Sequence, residues 1–116
     1  MPRMKMRYCG YMPRAMGFRP MPMGRREHRE RRSEHEQEQQ TSETIELGMD
    51  ELEAMRLVDY LGEDQTQAGE KMGISRGTVQ RLLYSGRSKV VEALLEGKPI
   101  KIQTGEHIEI VNDIHT

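Results

Sequence analysis

The stretch that decides the fold is residues 65–83, which read QTQAGEKMGISRGTVQRLL. Ala68 and Gly69 form a small pair, and Gly73 follows four residues after Gly69. Two short helices that cross steeply leave little room at the crossing, and the turn between them needs a residue that accepts the left-handed conformation. The spacing therefore predicts a helix-turn-helix, and its packing positions are Ala68, Gly69, Gly73, Ile74, Val79 and Leu82.

Capping residues mark the ends of the two helices that flank this turn. Asp64 is of a type that accepts hydrogen bonds from the first backbone N–H groups of a helix, which predicts a helix over roughly 66–72. Ser75 is of the same type and precedes apolar residues at helical spacing, so we expect a longer helix from Ser75 to about Leu95. Gly97 is the stop signal of that helix.

An amphipathic helix is predicted over residues 49–61. Gly48 is a tolerable N-cap, and the acids that follow it suit the positive end of the helix dipole. Gly62 is a typical C-terminal residue. Apolar residues recur every three positions and form one stripe at Leu52, Met55, Val58 and Leu61.

These elements predict an all-α fold with a three-helix helix-turn-helix core over residues 46–97. An irregular basic arm, rich in Met and Pro, precedes it as residues 1–24. We expect the charged segment 25–45 to be a disordered linker because it has no apolar periodicity. Residues 98–116 are expected to form a short β-like tail.

The tail has a hairpin-like pattern. Ile100 and Ile102 alternate with polar residues, as do Ile108 and Ile110, on either side of Gly105. Alternation of this kind is typical of strands, and a Gly-containing connection is typical of a hairpin. The alternative is a frayed tail without pairing.

The distribution of charge says more than the net charge of −1. Residues 1–32 carry ten basic and two acidic side chains, residues 33–64 one basic and eleven acidic, and residues 65–101 seven basic and three acidic. Two basic blocks separated by an acidic one are compatible with a polyanionic partner.

Composition also narrows the class of protein. No apolar run approaches the ~20 residues of a membrane span, and the N-terminus lacks the apolar stretch of a secretory signal. The single Cys, Cys9, cannot form an intrachain disulfide, so we expect a cytoplasmic protein without membrane contact. No nucleophile motif, carboxylate pair beside a His or phosphate-binding Gly loop is present. Neither an enzyme nor a cofactor is predicted.

The helix that begins after Ser75 carries the chemistry. No Asp or Glu occurs from Ser75 to Val91, whereas a merely solvated helix usually mixes charges and a phosphate-facing one avoids acids. Arg76 and Arg81 suit guanine O6 and N7, and Gln80 suits adenine N6 and N7. The pattern predicts a helix in the major groove of double-stranded DNA, with candidate base contacts Arg76, Gly77, Gln80, Arg81 and Tyr84.

A second set of side chains is suited to phosphate, which sets register without reading sequence. Their hydroxyl, amide and cationic groups lie at the start of the two helices and along the second one. The candidate phosphate contacts are Gln65, Thr66, Ser75, Thr78, Arg87 and Lys89. Which of Arg76, Gln80 and Arg81 reads a base stays open.

Three stretches carry a family resemblance. They are the opening MPR with Cys9, Pro13 and FRP at 18–20; DELEAMRL at 50–57; and MGISR at 72–76, followed by RLL at 81–83 and SKVVEAL at 88–94. In this order they resemble the prokaryotic family called domain of unknown function 134, or UPF0251-type, a group of small predicted DNA-binding proteins. The resemblance implies a helix-turn-helix similar to region 4 of bacterial sigma factors and a role in transcriptional regulation, with Ala usual at the position of Gly69. It implies no ligand and no operator.

Two other classes of function are considered. Sigma-like domains can dock on RNA polymerase or a regulatory partner, and the acidic helix 49–61 offers a surface for this. A metal- or redox-responsive regulator is the other, although one Cys cannot make a thiolate cage. Its candidate ligands lie in the arm and linker: Met4, Met6, Cys9, Met21, Met23, His28 and His35.

The arm and the oligomeric state give further hypotheses. The cations of the arm suit phosphates or a minor groove, and its aromatic residues suit anchoring on the core; we expect both. A core of about 50 residues is marginal alone, and a homodimer would match an operator with two half-sites. The arm residues concerned are Arg3, Lys5, Arg7, Arg14 and Arg19 for DNA, and Tyr8, Tyr11 and Phe18 for anchoring.

Overall fold

A computed structural model describes residues 6–23 and 43–111, and within those ranges the chain forms five short strands and three α-helices. The strands are β1 (Arg7–Cys9), β2 (Gly17–Phe18), β3 (Ile45–Gly48), β4 (Ile100–Gln103) and β5 (Ile108–Ile110). The helices are α1 (Met49–Met55), α2 (Gln65–Met72) and α3 (Arg76–Glu96). None of these helices combines the length and the apolar composition that a membrane crossing requires.

The helix ends predicted from capping residues are confirmed. Asp64 Oδ1 accepts a hydrogen bond from Gln67 N at 2.7 Å, and Ser75 Oγ accepts one from Thr78 N at 3.1 Å. Each bond satisfies an N–H group that the first turn of a helix leaves without an intrahelical partner. Gly97 ends α3 in the left-handed conformation, with φ of 68°.

The first helix differs from the prediction in its second half. It begins directly after Gly48, as predicted, but it continues over Arg56–Tyr60 as a π-helical segment. Leu61 N donates to Arg56 O at 2.8 Å, a bond that spans five residues and not four. Leu57 lies in this segment and is still buried, at 1% exposed. The apolar spacing of the sequence therefore does not distinguish the wider turn from an α-helix.

The prediction of an all-α fold is wrong, because segments on both sides of the helices pair as β-sheet. One sheet has the strand order β2-β4-β3, with β2 antiparallel and β3 parallel to β4. The other sheet pairs β1 and β5 in parallel. A parallel pair needs a long connection, and here all three helices connect β3 to β4. The fold is therefore mixed α/β.

The hairpin predicted for the tail is also wrong. Both of its segments are strands, but each pairs with a strand from elsewhere in the chain. Leu47 of β3 lies opposite Ile102 of β4, and Cys9 of β1 lies opposite Ile110 of β5. Alternation shows which face of a strand is apolar, but it does not identify the neighbouring strand.

The N-terminal arm is not irregular throughout, since it supplies β1 and β2. Of the predicted linker 25–45, residues 25–42 lie outside the described residues, and Ile45 begins β3.

Apolar side chains collect in two clusters. The larger one lies where the three helices meet, and it contains fully buried residues such as Met72. A smaller one forms beneath the strands around Cys9, Met49 and Ile102. The strands therefore extend a helical core that would otherwise be small, which suits a chain of only 116 residues.

Candidate nucleic-acid interface

Small residues allow α2 and α3 to approach each other closely. Ala68 is fully buried, and a Cβ atom added at Gly69 would lie 2.7 Å from Ile74 O and 3.5 Å from Val79 Cγ2. Val79 and Leu82 are buried in the same cluster, and Ile74 packs against its edge. Since this face of α3 is held against α1 and α2, the opposite face is directed to solvent.

The turn between α2 and α3 is covered by the first strand. Gly73 has φ of 73°, the left-handed conformation that its place in the turn predicts. A Cβ atom at Gly73 would lie 3.0 Å from Tyr8 Cδ2 and 3.8 Å from Met6 O. The ring of Tyr8 therefore packs directly on the turn, so one of the three aromatic residues expected to anchor the arm does so here. Phe18, another of them, is 67% exposed.

The face of α3 predicted to read bases is exposed. Arg76, Gly77, Gln80 and Arg81 are all exposed, and Tyr84 is 75% exposed. Neither Arg76 nor Arg81 forms an ion pair with a carboxylate among residues 6–23 and 43–111. Both guanidinium groups are thus available to an external acceptor.

Side chains in the first turns of α3 orient one of these arginines. Ser75 Oγ lies 3.0 Å from Thr78 Oγ1, and Arg81 Nη2 donates a hydrogen bond to Thr78 Oγ1 at 3.2 Å. The three residues are each three positions apart, so they line up along the helix. The Arg81 guanidinium is held towards the N-terminal end of α3, where the helix dipole also attracts anions.

The other two predicted cationic contacts are paired within the molecule. Arg87 Nη2 lies 2.7 Å from Asp59 Oδ1, and the hydrogen bonds to Asp59 raise the pKa of Arg87 above its ordinary value. Lys89 Nζ lies 2.9 Å from Glu51 Oε1. A phosphate would compete with these carboxylates for both residues. The unpaired positive charge is therefore concentrated in the N-terminal half of α3.

The start of α2 is less favourable to phosphate than the sequence suggested. Thr66 is exposed, whereas Gln65 is half-buried and its Oε1 is buried without a hydrogen-bond partner among the described residues. The carboxylate of Asp64 already caps Gln67 N. Its negative charge opposes an anion at the same helix end.

Three acidic side chains of α1 lie in the interior. Asp50, Glu51 and Glu53 are 8%, 7% and 4% exposed, respectively. Asp50 Oδ2 accepts a hydrogen bond from Arg7 Nη1 at 2.6 Å, and Glu53 Oε2 accepts one from Gly10 N at 2.9 Å. Buried carboxylates are costly unless they are paired in this way. The acidic surface that was expected on helix 49–61 is therefore largely an internal attachment site for the N-terminal strand.

Glu51 joins α1 to α3. Its carboxylate accepts hydrogen bonds from Gly48 N at 2.8 Å, from Lys89 Nζ at 2.9 Å and from the Ser85 hydroxyl. The bond from Gly48 caps the first turn of α1. This one side chain thus helps to set the position of α3, and with it the exposed face.

The sequence analysis missed this role of Glu51, although a signal was present. Glu51 lies three and four residues before Ala54 and Met55, which belong to the apolar stripe of α1. Residues at those spacings share a helix face. An acid on an inward face requires polar partners, and the sequence offers Ser85 and Lys89 on either side of Gly86.

A family model matches most of the chain. The family described as "Protein of unknown function DUF134" matches residues 12–110. The chain belongs to this family. A "UPF0251 protein" of Dehalococcoides mccartyi is 52% identical over 60 residues, which cover 52% of this chain and 51% of the relative. One of Thermococcus kodakarensis is 54% identical over 56 residues, covering 48% and 50%, and one of Pyrococcus horikoshii is 53% identical over 64 residues, covering 55% and 57%.

The chain spans about half the length of the curated relatives it matches. Their names state no function, and no solved structure matches the chain. The predicted DUF134 membership is confirmed at the level of the family, whereas the likeness to sigma factors stays a prediction.

Position 69 shows how this DUF134 protein departs from the expected pattern. Ala was expected where the chain has Gly69. The 2.7 Å approach of Ile74 O leaves no space for a Cβ atom unless the turn shifts. Gly is about 1 kcal/mol less favourable than Ala inside a helix. The close packing of the two helices at Gly69 offsets this cost.

The metal-site hypothesis gains no support from the described part of this DUF134 protein. Residues 6–23 and 43–111 contain no group of three or more His, Cys, Asp or Glu that is placed to hold a metal ion. Cys9 is fully buried, and burial together with Glu53 and Asp50 raises the pKa of its thiol to about 12. A thiol that stays protonated is a poor metal ligand and a poor redox sensor. Three of the other candidate ligands, Met4, His28 and His35, lie outside the described residues.

An open depression of about 510 Å³ lies between the N-terminal segment, α1 and α2. Its cations are paired: Arg56 Nε lies 2.8 Å from Glu53 Oε1, and Lys71 pairs with Glu63. The arrangement neutralises the charges within the depression and brings no nucleophile next to a base. The exposed face of α3 therefore remains the strongest candidate site in this DUF134 protein.

Proposed function

We propose that this DUF134 protein is a sequence-specific DNA-binding protein and a transcriptional regulator, in which α2 and α3 form a helix-turn-helix. The observation that carries the proposal is the exposed face of α3 from Arg76 to Val91, which has no acid and holds Arg76 and Arg81 without ion-pair partners among the described residues. An exposed cationic helix of this kind matches the chemistry of phosphate and base edges.

The dimensions of α3 suit the major groove. An α-helix with its side chains is about 10–12 Å across, which matches the ~12 Å width of the groove. The nine residues from Arg76 to Tyr84 span about 13 Å along the helix axis at 1.5 Å per residue. Gln80 and Arg81 lie within this span, and Gly77 has open space around it. A close approach of the helix to the base edges is therefore sterically allowed.

Selection from a random DNA pool tests the proposal. Purified protein is equilibrated with duplexes of random sequence, and bound molecules are sequenced over several rounds. We expect one enriched motif, and its symmetry reports whether one or two copies bind. Fluorescence anisotropy on that motif should show an affinity that falls steeply with KCl. An unenriched pool and salt-independent binding would contradict the proposal.

Substitutions on α3 separate base reading from phosphate binding. Gln80→Ala and Arg81→Ala should each cost about 1–3 kcal/mol on the selected site and relax preference at one position. Lys89→Ala should weaken binding to all sequences alike. Lys101→Ala is the control for the loss of one exposed cation, since Lys101 is also exposed but lies on β4. Equal losses on selected and random DNA for all variants would refute base reading.

A protein partner is the second candidate, favoured by apolar residues near the C-terminal end of α3. Val91, Leu94 and Leu95 are 50%, 77% and 80% exposed. A second copy of the chain, matching an operator with two half-sites, or RNA polymerase would cover them. Sedimentation velocity at tens of micromolar tests the dimer, which Leu94→Asp should dissociate. A monomer at all concentrations would exclude it.

A further inference from the structure

We propose, resting on the proposed DNA-binding function, that Arg81 reads a guanine of the duplex and that Thr78 is its positioning residue. The two arginines that the sequence left equivalent, Arg76 and Arg81, differ in the structure. Arg81 Nη2 donates a hydrogen bond to Thr78 Oγ1 at 3.2 Å. Among residues 6–23 and 43–111, no side-chain hydrogen bond orients Arg76 in the same way.

The two arginines also differ in their position around α3. The first half of this helix is held against the core by four buried residues, which are Val79, Leu82, Leu83 and Gly86. An α-helix turns by about 100° per residue, so Arg81 lies within about 30° of the direction opposite to the buried face, and Arg76 lies about 110° from it. A helix in the major groove directs its outermost side chains to the base edges, while flanking side chains meet phosphates. Arg81 is therefore the base-reading candidate, and Arg76 is suited to the backbone.

Thr78 is suited to hold the guanidinium of Arg81 because its own side chain is fixed. Thr78 Oγ1 lies 3.0 Å from Ser75 Oγ, and Ser75 Oγ accepts a hydrogen bond from Thr78 N at 3.1 Å. A β-branched side chain has few χ1 rotamers in a helix, and Thr78 is half-buried. The N-cap of α3 therefore holds the Thr78 hydroxyl, and the hydroxyl orients Arg81 before a duplex is bound.

The hydrogen bond to Thr78 leaves Arg81 enough donors for a base. A guanidinium has five N–H groups, and Thr78 accepts from one of them, on Nη2. A bidentate contact with guanine O6 and N7 needs two more. No carboxylate in the described part of the chain pairs with Arg81 and competes for these donors. Since a side chain that is already ordered loses less conformational freedom on binding, Thr78 strengthens the guanine contact through Arg81.

Base changes in the selected duplex test the role of Arg81. Each guanine is replaced in turn by adenine and by 7-deazaguanine, which lacks the N7 acceptor. At one position both changes should weaken binding by the parent protein, adenine by about 5- to 150-fold, whereas Arg81→Ala should bind all three duplexes equally. Arg76→Ala should keep this preference and lower the slope of log affinity against log salt by about 0.9, as a lost phosphate contact does. If Arg81→Ala kept every guanine preference of the parent, the assignment of Arg81 would be overturned.

Substitutions at Thr78 test the positioning role. Thr78→Val removes the hydroxyl but keeps the branched shape, so it should weaken binding to the guanine duplex by about 2- to 12-fold and reduce the guanine preference. Thr78→Ser keeps the hydroxyl and should retain both. Combined with Arg81→Ala, Thr78→Val should have no further effect, because its effect passes through Arg81.

Thermal unfolding of each variant checks that the fold is unchanged. Equal losses from Thr78→Val with and without Arg81, on all sequences alike, would make Thr78 a phosphate contact. That result would overturn the positioning role and leave the proposed function standing. If the parent protein enriches no DNA motif at all, the proposed function itself fails.

Discussion

Replacing Glu51 with Ala should destabilise the fold strongly, although Glu51 is an acid in a chain rich in acids. Glu51 is 7% exposed, and its carboxylate accepts hydrogen bonds from Gly48 N, Lys89 Nζ and the Ser85 hydroxyl. The substitution leaves these three donors without their acceptor and removes the cap of α1. It also breaks the polar link between α1 and α3.

The expected loss follows from these three bonds. A hydrogen bond to a charged group contributes about 1.5–3 kcal/mol when its partner stays buried. The Lys89 side chain is 36% exposed, so it regains water and its share is much reduced. We expect Glu51→Ala to lower the free energy of unfolding by about 2–4 kcal/mol. At about 4–8 °C per kcal/mol for a domain of about 100 residues, the midpoint of thermal unfolding should fall by about 8–32 °C.

Urea and thermal unfolding followed by circular dichroism measure this loss. Glu46→Ala is the matched control, because Glu46 is an exposed acid on the neighbouring β3 and should change stability by less than about 0.5 kcal/mol. Glu51→Gln keeps one acceptor oxygen and should fall between the two. If Glu51→Ala were as stable as Glu46→Ala, the argument that a buried carboxylate joins α1 to α3 would be refuted.

Further outcomes are expected at three residues, Gly73, Cys9 and Arg87. Gly73→Ala should lower the free energy of unfolding by about 1–2 kcal/mol, because the φ of 73° is left-handed and the added Cβ atom would contact the Tyr8 ring. An unchanged midpoint of urea unfolding would exclude strain at the turn. Cys9, whose thiol pKa is raised from 9.0 to about 12, should resist iodoacetamide at pH 8.5 until the protein unfolds, and rapid alkylation of the folded protein would contradict its burial. The free energy of unfolding should also fall as pH rises from about 9 to about 12, since the thiol of Cys9 ionises first in the unfolded chain. Arg87→Ala should change the free energy of unfolding by less than about 1 kcal/mol, because its pair with Asp59 is exposed. The slope of log affinity for DNA against log salt should decrease by about 0.9 when this phosphate contact is lost. An unchanged slope would exclude Arg87 from the phosphate contacts.

Local rules predicted the helices of this protein well. The ends of α2 and α3 were visible in Asp64, Ser75 and Gly97, because a cap depends on residues within one turn of the chain. The exposed face of α3 follows from helical spacing once its apolar stripe is known. The residues of the candidate interface were therefore named from sequence, and the structure adds which of their charges are already paired.

The strands could not be predicted in the same way. Ile45 of β3 pairs with Ile100 of β4 across the whole helical region, and Arg7 of β1 pairs with Ile108 of β5 across nearly the whole chain. Neither pairing leaves a local mark beyond two-residue alternation.

The sequence by itself determined the three helices, the glycine turn and the acid-free face of α3 from Arg76 to Val91, since each depends on residues a few positions apart. The tertiary structure alone decided the two sheets, the partners of Asp50, Glu51 and Glu53, and the packing of Tyr8 on the turn at Gly73. The neighbour of a strand and the partner of a buried charge depend on which distant segments can supply the required hydrogen bonds in one fold. Local spacing in the chain carries no record of that choice.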